Sequence, residues 1–222
     1  MSSLDQLRDP AFRKTTPFDR ETATPRGNGV DRLAGAVTEP TGSRTAHLGE
    51  TVIELEGPAP RVGTTLVGEF ALAPAHFAPE PLLAAYLRDG PAVVSTLPNI
   101  EKHACIFQIV DLERELARFD PPPRLVHVAS DSARHWTEVE QYHPELRAPG
   151  YSLGETDAPS RDAFKAAFGV GVRGHRRIAH GLFALQDGVF LAVEIPDDQM
   201  SPPPVRQFLH RLSHLGSAAR TI

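Results

Sequence analysis

The chain has 222 residues, 41% hydrophobic and 23% charged, with a formal net charge of -5. That allows one sizeable domain with extensions or two small ones, and it carries no basic excess of the kind that marks nucleic-acid or anionic-membrane partners. No apolar run approaches the ~20 residues of a membrane-spanning helix, and the opening MSSLDQLRDPAFRK lacks the basic-then-apolar order of a secretory signal, so a cytoplasmic location is the expectation. The single cysteine, Cys105, excludes an internal disulfide, a CxxC redox pair and a cysteine-rich zinc site.

Residues 1–45 are rich in Pro, Gly, Ser and Thr without apolar periodicity, which reads as a poorly ordered arm with at most a short helix near Leu4 to Arg8. From Ala46 to Leu55 the pattern predicts a short hairpin turning at Gly49-Glu50. A loop over 57–63 leads to a short strand at Phe70-Ala71-Leu72, and Leu82 to Leu87 reads as one or two turns of helix broken by Asp89-Gly90-Pro91. Ala92 to Leu97, apolar and β-branched between turn residues, predicts a central strand buried on both faces and ended by Pro98.

Apolar side chains at Ile106, Ile109, Val110, Leu112, Leu116 and Phe119 predict an amphipathic helix over 104–119, stopped by three prolines. Leu125 to Ala129 is the next buried strand and 132–142 the next helix. A small strand follows at 151–153, then a helix over 160–168 with Ser160 as N-cap and Gly169 as C-cap. Gln186-Asp187-Gly188 between 182–185 and 189–193 is a strong hairpin signal, and 203–215 is the last helix. This order predicts an α/β fold with a mixed sheet.

No G-x-G-x-x-G, P-loop or G-x-S-x-G occurs, so nucleotide binding and serine hydrolysis have no support. His210 and His214 lie four apart on the last helix with no further ligand at a useful spacing, and read as a polar helix face. Arg173, Arg176 and Arg177 lack the aromatic interleaving of a nucleic-acid surface. Trp136 reads as a packing residue.

Several segments resemble the bacterial thiol peroxidase branch of the peroxiredoxin superfamily. His47 to Val52 resembles its N-terminal hairpin, and Arg61-Val62-Gly63 with Phe70-Ala71-Leu72 resembles its first core strand. Pro98-Asn99-Ile100-Glu101-Lys102-His103-Ala104-Cys105 resembles its peroxidatic loop, P-S-x-D-T-x-x-C, with Lys102 at the threonine position. Ala129-Ser130-Asp131 resembles its S-A-D segment, and Leu182 to Val193 its final hairpin. His180 falls at the place of the family arginine, with Arg176 and Arg177 close upstream.

The resemblance implies a thioredoxin-like (peroxiredoxin) α/β domain over residues 46–222, its mixed central sheet flanked by helices and preceded by a β-hairpin. It implies thiol-dependent reduction of hydrogen peroxide or organic hydroperoxides, with Cys105, Lys102 and His180 catalytic, Pro98 and His103 at the substrate, and no cofactor or metal. It also implies pairing as a homodimer. Where the branch carries a resolving cysteine, about Trp136 to Tyr142, this chain has none. The cycle is therefore of the one-cysteine kind, with an external thiol such as thioredoxin as reductant.

Peroxide reduction needs a thiolate, and an ordinary cysteine, with a pKa of about 8.5, is mostly protonated at neutral pH. Cys105 in the first turn of a helix, with Lys102 three residues earlier and His103 nearby, is expected to be acidified, while Glu101 opposes this. Lysine donates hydrogen bonds but accepts none, so Lys102 replaces only part of what a threonine hydroxyl does. Two alternatives stay open: a metal site at His103, Cys105 and His180, for which spacing alone says little, and a non-peroxidatic relative acting as a binding or redox-sensing module.

Overall fold

A computed structural model describes residues 44–218. The arm expected over residues 1–45 lies outside the described residues except for Arg44 and Thr45, which already belong to the first strand. That strand, β1 (Arg44–Leu48), pairs antiparallel with β2 (Thr51–Glu56) across a turn in which Gly49 takes a φ of 59°. A two-residue strand, β8 (Gly171–Val172), extends this hairpin into a three-stranded sheet. It is too short to carry a sequence pattern of its own.

The main sheet has seven strands in the order β10 (Val189–Glu194), β9 (Gly181–Gln186), β5 (Pro91–Leu97), β6 (Arg124–Ala129), β7 (Gly150–Ser152), β3 (Ala71–His76) and β4 (Leu82–Leu83). Within it, β5 (Pro91–Leu97) is parallel to β6 (Arg124–Ala129) and antiparallel to β9 (Gly181–Gln186). The hairpin partner of β9 is β10 (Val189–Glu194), and β7 (Gly150–Ser152) runs parallel to β6. Beyond β7 lies β3 (Ala71–His76), longer than the expected Phe70–Leu72. Pro74 is tolerated there because β4 (Leu82–Leu83) pairs only with Ala71 and Leu72, so no neighbour demands an N–H at residue 74 on that side.

The helix expected over 82–87 is corrected: Leu82 and Leu83 are extended against β3, and only α1 (Ala84–Leu87) is helical. Pairing with an available edge overrides the leucines' helical preference. The remaining helices are α2 (His103–Leu116), α3 (Ala133–Tyr142), α4 (Ala158–Phe168) and α5 (Val205–Ala218). At α4 the cap expected at Ser160 is Asp157, whose carboxylate accepts from Ser160 N at 2.9 Å. Ser160 instead accepts through its hydroxyl from Ala71 N. Gly169 closes the helix in the left-handed region at φ 61°, as its position implied.

Alternation along β5 sends its side chains to opposite faces, and both faces are buried. Val94 packs with Phe164, Phe168, Phe183 and Phe190 on one side. Val93 packs with Leu112, Leu116, Phe208 and Leu209 of α2 and α5 on the other. Each fully buried ring or leucine contributes about 1.5–3 kcal/mol. A third cluster, with Leu97, Ile100, Ile109, Ala129 and Trp136, closes the end of the sheet where β5 hands over to α2, and Cys105 is part of it.

Candidate active site

The chain leaves the parallel end of β5 at Leu97, turns through 98–102 and enters α2 at His103, so Cys105 occupies the helix's first turn. Hydrogen bonds hold the turn from both ends. Asn99 Oδ1 accepts from Glu101 N at 3.0 Å, and Asn99 O accepts from Lys102 N at 3.1 Å. Asp131, just past β6, accepts from Ile100 N at 2.9 Å. Arg177 donates to Pro98 O at 2.7 Å and lies 3.3 Å from Asp131 Oδ1. Arg177 and Asp131 thus clamp the turn to the segment that leads into β9.

Cys105 is fully buried, with 0% exposure. Burial pushes its thiol well above the ordinary range, which corrects the expected acidification. The backbone of Asn99, and the Arg177 and Lys102 cations, pull the other way, while Asp131 adds to the rise. The lysine and helix start anticipated from the sequence are present, but removing the sulfur from water outweighs them.

His180 comes directly to the sulfur. Its Nε2 lies 3.7 Å from Cys105 Sγ, and its Nδ1 lies 2.7 Å from Gln108 Oε1. Gln199 fixes the histidine's backbone by accepting from His180 N at 2.6 Å. The ring is buried and its pKa is pushed down to about 4 by that burial, against a smaller upward pull from Asp198. At neutral pH the pair is therefore a thiol beside a neutral imidazole.

The other expected site residues lie on the turn before α2 and at its start. Pro98 is buried and offers its carbonyl to Arg177. Lys102 is the N-cap residue of α2, and His103 is its first helical residue, edge-on to Phe107 at 6.4 Å between ring centres. The guanidinium nearest the loop belongs to Arg177, which acts on the loop backbone, whereas the contact with sulfur is made by His180. Among the described residues no group of three or more His, Cys, Asp or Glu side chains is arranged to hold a metal ion. A cleft of about 240 Å³ opens beside the clamp, lined by Asp131, His135, Arg161, Arg176 and Arg177 but not by Cys105.

Gln108, Gln199, Asp131 and Arg177 were not anticipated in these roles. Gln108 left one usable signal: it interrupts the apolar stripe Cys105, Ile109, Leu112, Leu116 with a polar side chain, and a buried amide needs partners.

No family model matches the chain and no curated protein matches it by sequence. Solved structures match by fold. A thiol peroxidase from Chromobacterium violaceum is 16% identical, with a TM-score of 0.65, covering 79% of this chain and 98% of that one. A peroxiredoxin-like protein from Aquifex aeolicus is 15% identical, with a TM-score of 0.64, covering 78% and 98%. Mycobacterium tuberculosis AhpC is 17% identical, with a TM-score of 0.56, covering 72% and 96%. The domain thus has the thioredoxin-like fold of the peroxiredoxins, with the N-terminal β-hairpin and the mixed sheet that the sequence implied.

Proposed function

We propose that the chain is a one-cysteine thiol peroxidase in which Cys105 is the attacking sulfur and His180 its base. The observation that carries this reading is the 3.7 Å contact between Cys105 Sγ and His180 Nε2 at the start of α2. In the reaction the thiol proton passes to His180 Nε2, and sulfur attacks the terminal oxygen of the hydroperoxide. The O–O bond breaks, and the departing alkoxide or hydroxide takes the proton from the imidazolium. Cysteine is oxidised to sulfenic acid and the hydroperoxide is reduced to alcohol or water. One external thiol, such as thioredoxin, then forms a mixed disulfide and releases water, and a second thiol equivalent restores Cys105.

Lys102 adds positive potential at the sulfur, and Pro98 and His103, on the turn before α2 and at its first position, are the residues this reading assigns to the substrate. With the sulfur fully buried, a peroxide reaches it when the clamped 98–102 turn or the first turn of α2 moves aside. The same burial favours a second reading, a thioredoxin-fold module that senses or binds without turning over peroxide. Turnover of hydrogen peroxide and of an organic hydroperoxide with a thiol reductant, compared with Cys105→Ser, decides between them. The peroxidase reading expects turnover that the variant lacks, and equal, negligible rates in both proteins reject it.

A further inference from the structure

We propose that Gln108 is the positioning residue of this site: it holds His180 in the Nδ1–H tautomer and so makes Nε2 the proton acceptor for Cys105. The role in turnover rests on the peroxidase reading above, while the tautomer assignment stands on geometry alone.

Gln108 lies one helical turn after Cys105 on α2, on the same face, and reaches across to both neighbouring strands. Its Nε2 is 2.8 Å from Ser95 Oγ, 3.2 Å from Thr96 O and 3.1 Å from Gly181 O. Backbone carbonyls only accept, so the group facing two of them must be the NH₂. With the amide turned the other way, an oxygen would face two carbonyl oxygens inside a buried site, which is strongly unfavourable. The amide orientation is thus set by β5 and β9.

Oε1 then points at His180 Nδ1, at 2.7 Å, and as an acceptor it requires a proton on that nitrogen. A neutral imidazole carries one proton. Nε2 therefore presents its lone pair to Cys105 Sγ at 3.7 Å, and the thiol is the donor. The charged groups that act on the pair are Asp131, Arg177 and Lys102 at the sulfur and Asp198 at the imidazole. At Nδ1 itself the hydrogen-bond partner is Gln108 Oε1. A base with the wrong tautomer would offer an N–H to the thiol and could not receive its proton.

Nitrogen-15 NMR of histidine-labelled protein reads the tautomer directly, with the His180 signals assigned by their loss in His180→Gln. The expected spectrum of the native protein shows His180 as Nδ1–H. In Gln108→Met, which fills the same space without an acceptor, the Nε2–H form should grow. The rate of Cys105 oxidation by hydrogen peroxide, and of its alkylation by iodoacetamide, should fall roughly tenfold or more.

An Nε2–H signature in the native protein overturns the proposal, and so does a folded Gln108→Met with unchanged tautomer and rates. If Gln108→Met does not fold, the native spectrum alone decides. Nδ1–H in a protein inert to peroxide supports the positioning assignment and rejects the peroxidase reading, so the two failures are distinguishable.

Discussion

Two buried regions of this domain contain histidine, and they are built differently. At His180, both ring nitrogens and the backbone N–H meet directional partners: Gln108 at Nδ1, Cys105 at Nε2, Gln199 at the backbone N–H. On β6, His127 is fully buried with a Glu113 oxygen 3.7 Å from its Nε2, and neither ring nitrogen has a hydrogen bond among the described residues. His76 beside it stacks on Trp136 with ring centres 5.6 Å apart and faces Glu140 at 3.6 Å. Glu113 is bound instead by Arg147 N and Ala148 N. The first arrangement specifies where one proton sits. The second fills space, with loose charge complementarity, and leaves proton positions undetermined.

The comparison breaks most decisively at His180. His180→Phe keeps the ring's bulk, removes the base and should lower the second-order rate of Cys105 with hydrogen peroxide by about 100-fold or more, measured by stopped-flow. His127→Leu should leave that rate unchanged and alter stability by no more than ~1 kcal/mol in urea unfolding, because no made hydrogen bond is lost. If the two variants slowed the reaction equally, the distinction between the regions would fail.

Acid unfolding sharpens the contrast. The folded pKa of His180 is about 4 against an ordinary 6.5, so between these values the unfolded chain binds the extra proton. Stability is full above pH 6.5 and falls as pH drops towards 4, by roughly 3 kcal/mol from this residue. Burial shifts His76 in the same direction, so it adds to the loss. In His180→Phe the pH dependence should flatten by about the His180 share.

Packing around the site gives a smaller effect. A Cβ at Gly181 would meet a Phe183 ring carbon at 2.7 Å and Thr96 Oγ1 at 2.9 Å. Gly181→Ala should cost about 1–3 kcal/mol in the same unfolding assay and, by displacing β9, slow the peroxide reaction as well. Lys102→Met has the smallest expected consequence. Its ammonium is the weakest of the named charges acting on the sulfur, so the reaction should slow by less than about threefold at physiological salt. A larger drop would move Lys102 to the centre of the mechanism.

Local sequence alone determined most of the elements. The β-branched run at 92–97, the Asp-Gly turn at 187–188, the apolar spacing after Cys105 and the glycine at 169 each obey rules that act over a few residues. Cys105 at a helix start was legible for the same reason. The sequence also marked His180, through resemblance rather than spacing, because its 75-residue separation from Cys105 carries no local signal. Tertiary structure decided the rest. Edge pairing with β3 made Leu82 and Leu83 a strand, and the folding of Asp157 over Ser160 N moved the cap of α4. Closure of the core over Cys105 reversed the expected shift of its thiol. Gln108 acquired its orientation only when β5 and β9 brought two carbonyls to its amide nitrogen. Charge state and hydrogen-bond direction depend on what surrounds an atom in three dimensions, and a chain order does not contain that until the fold is closed.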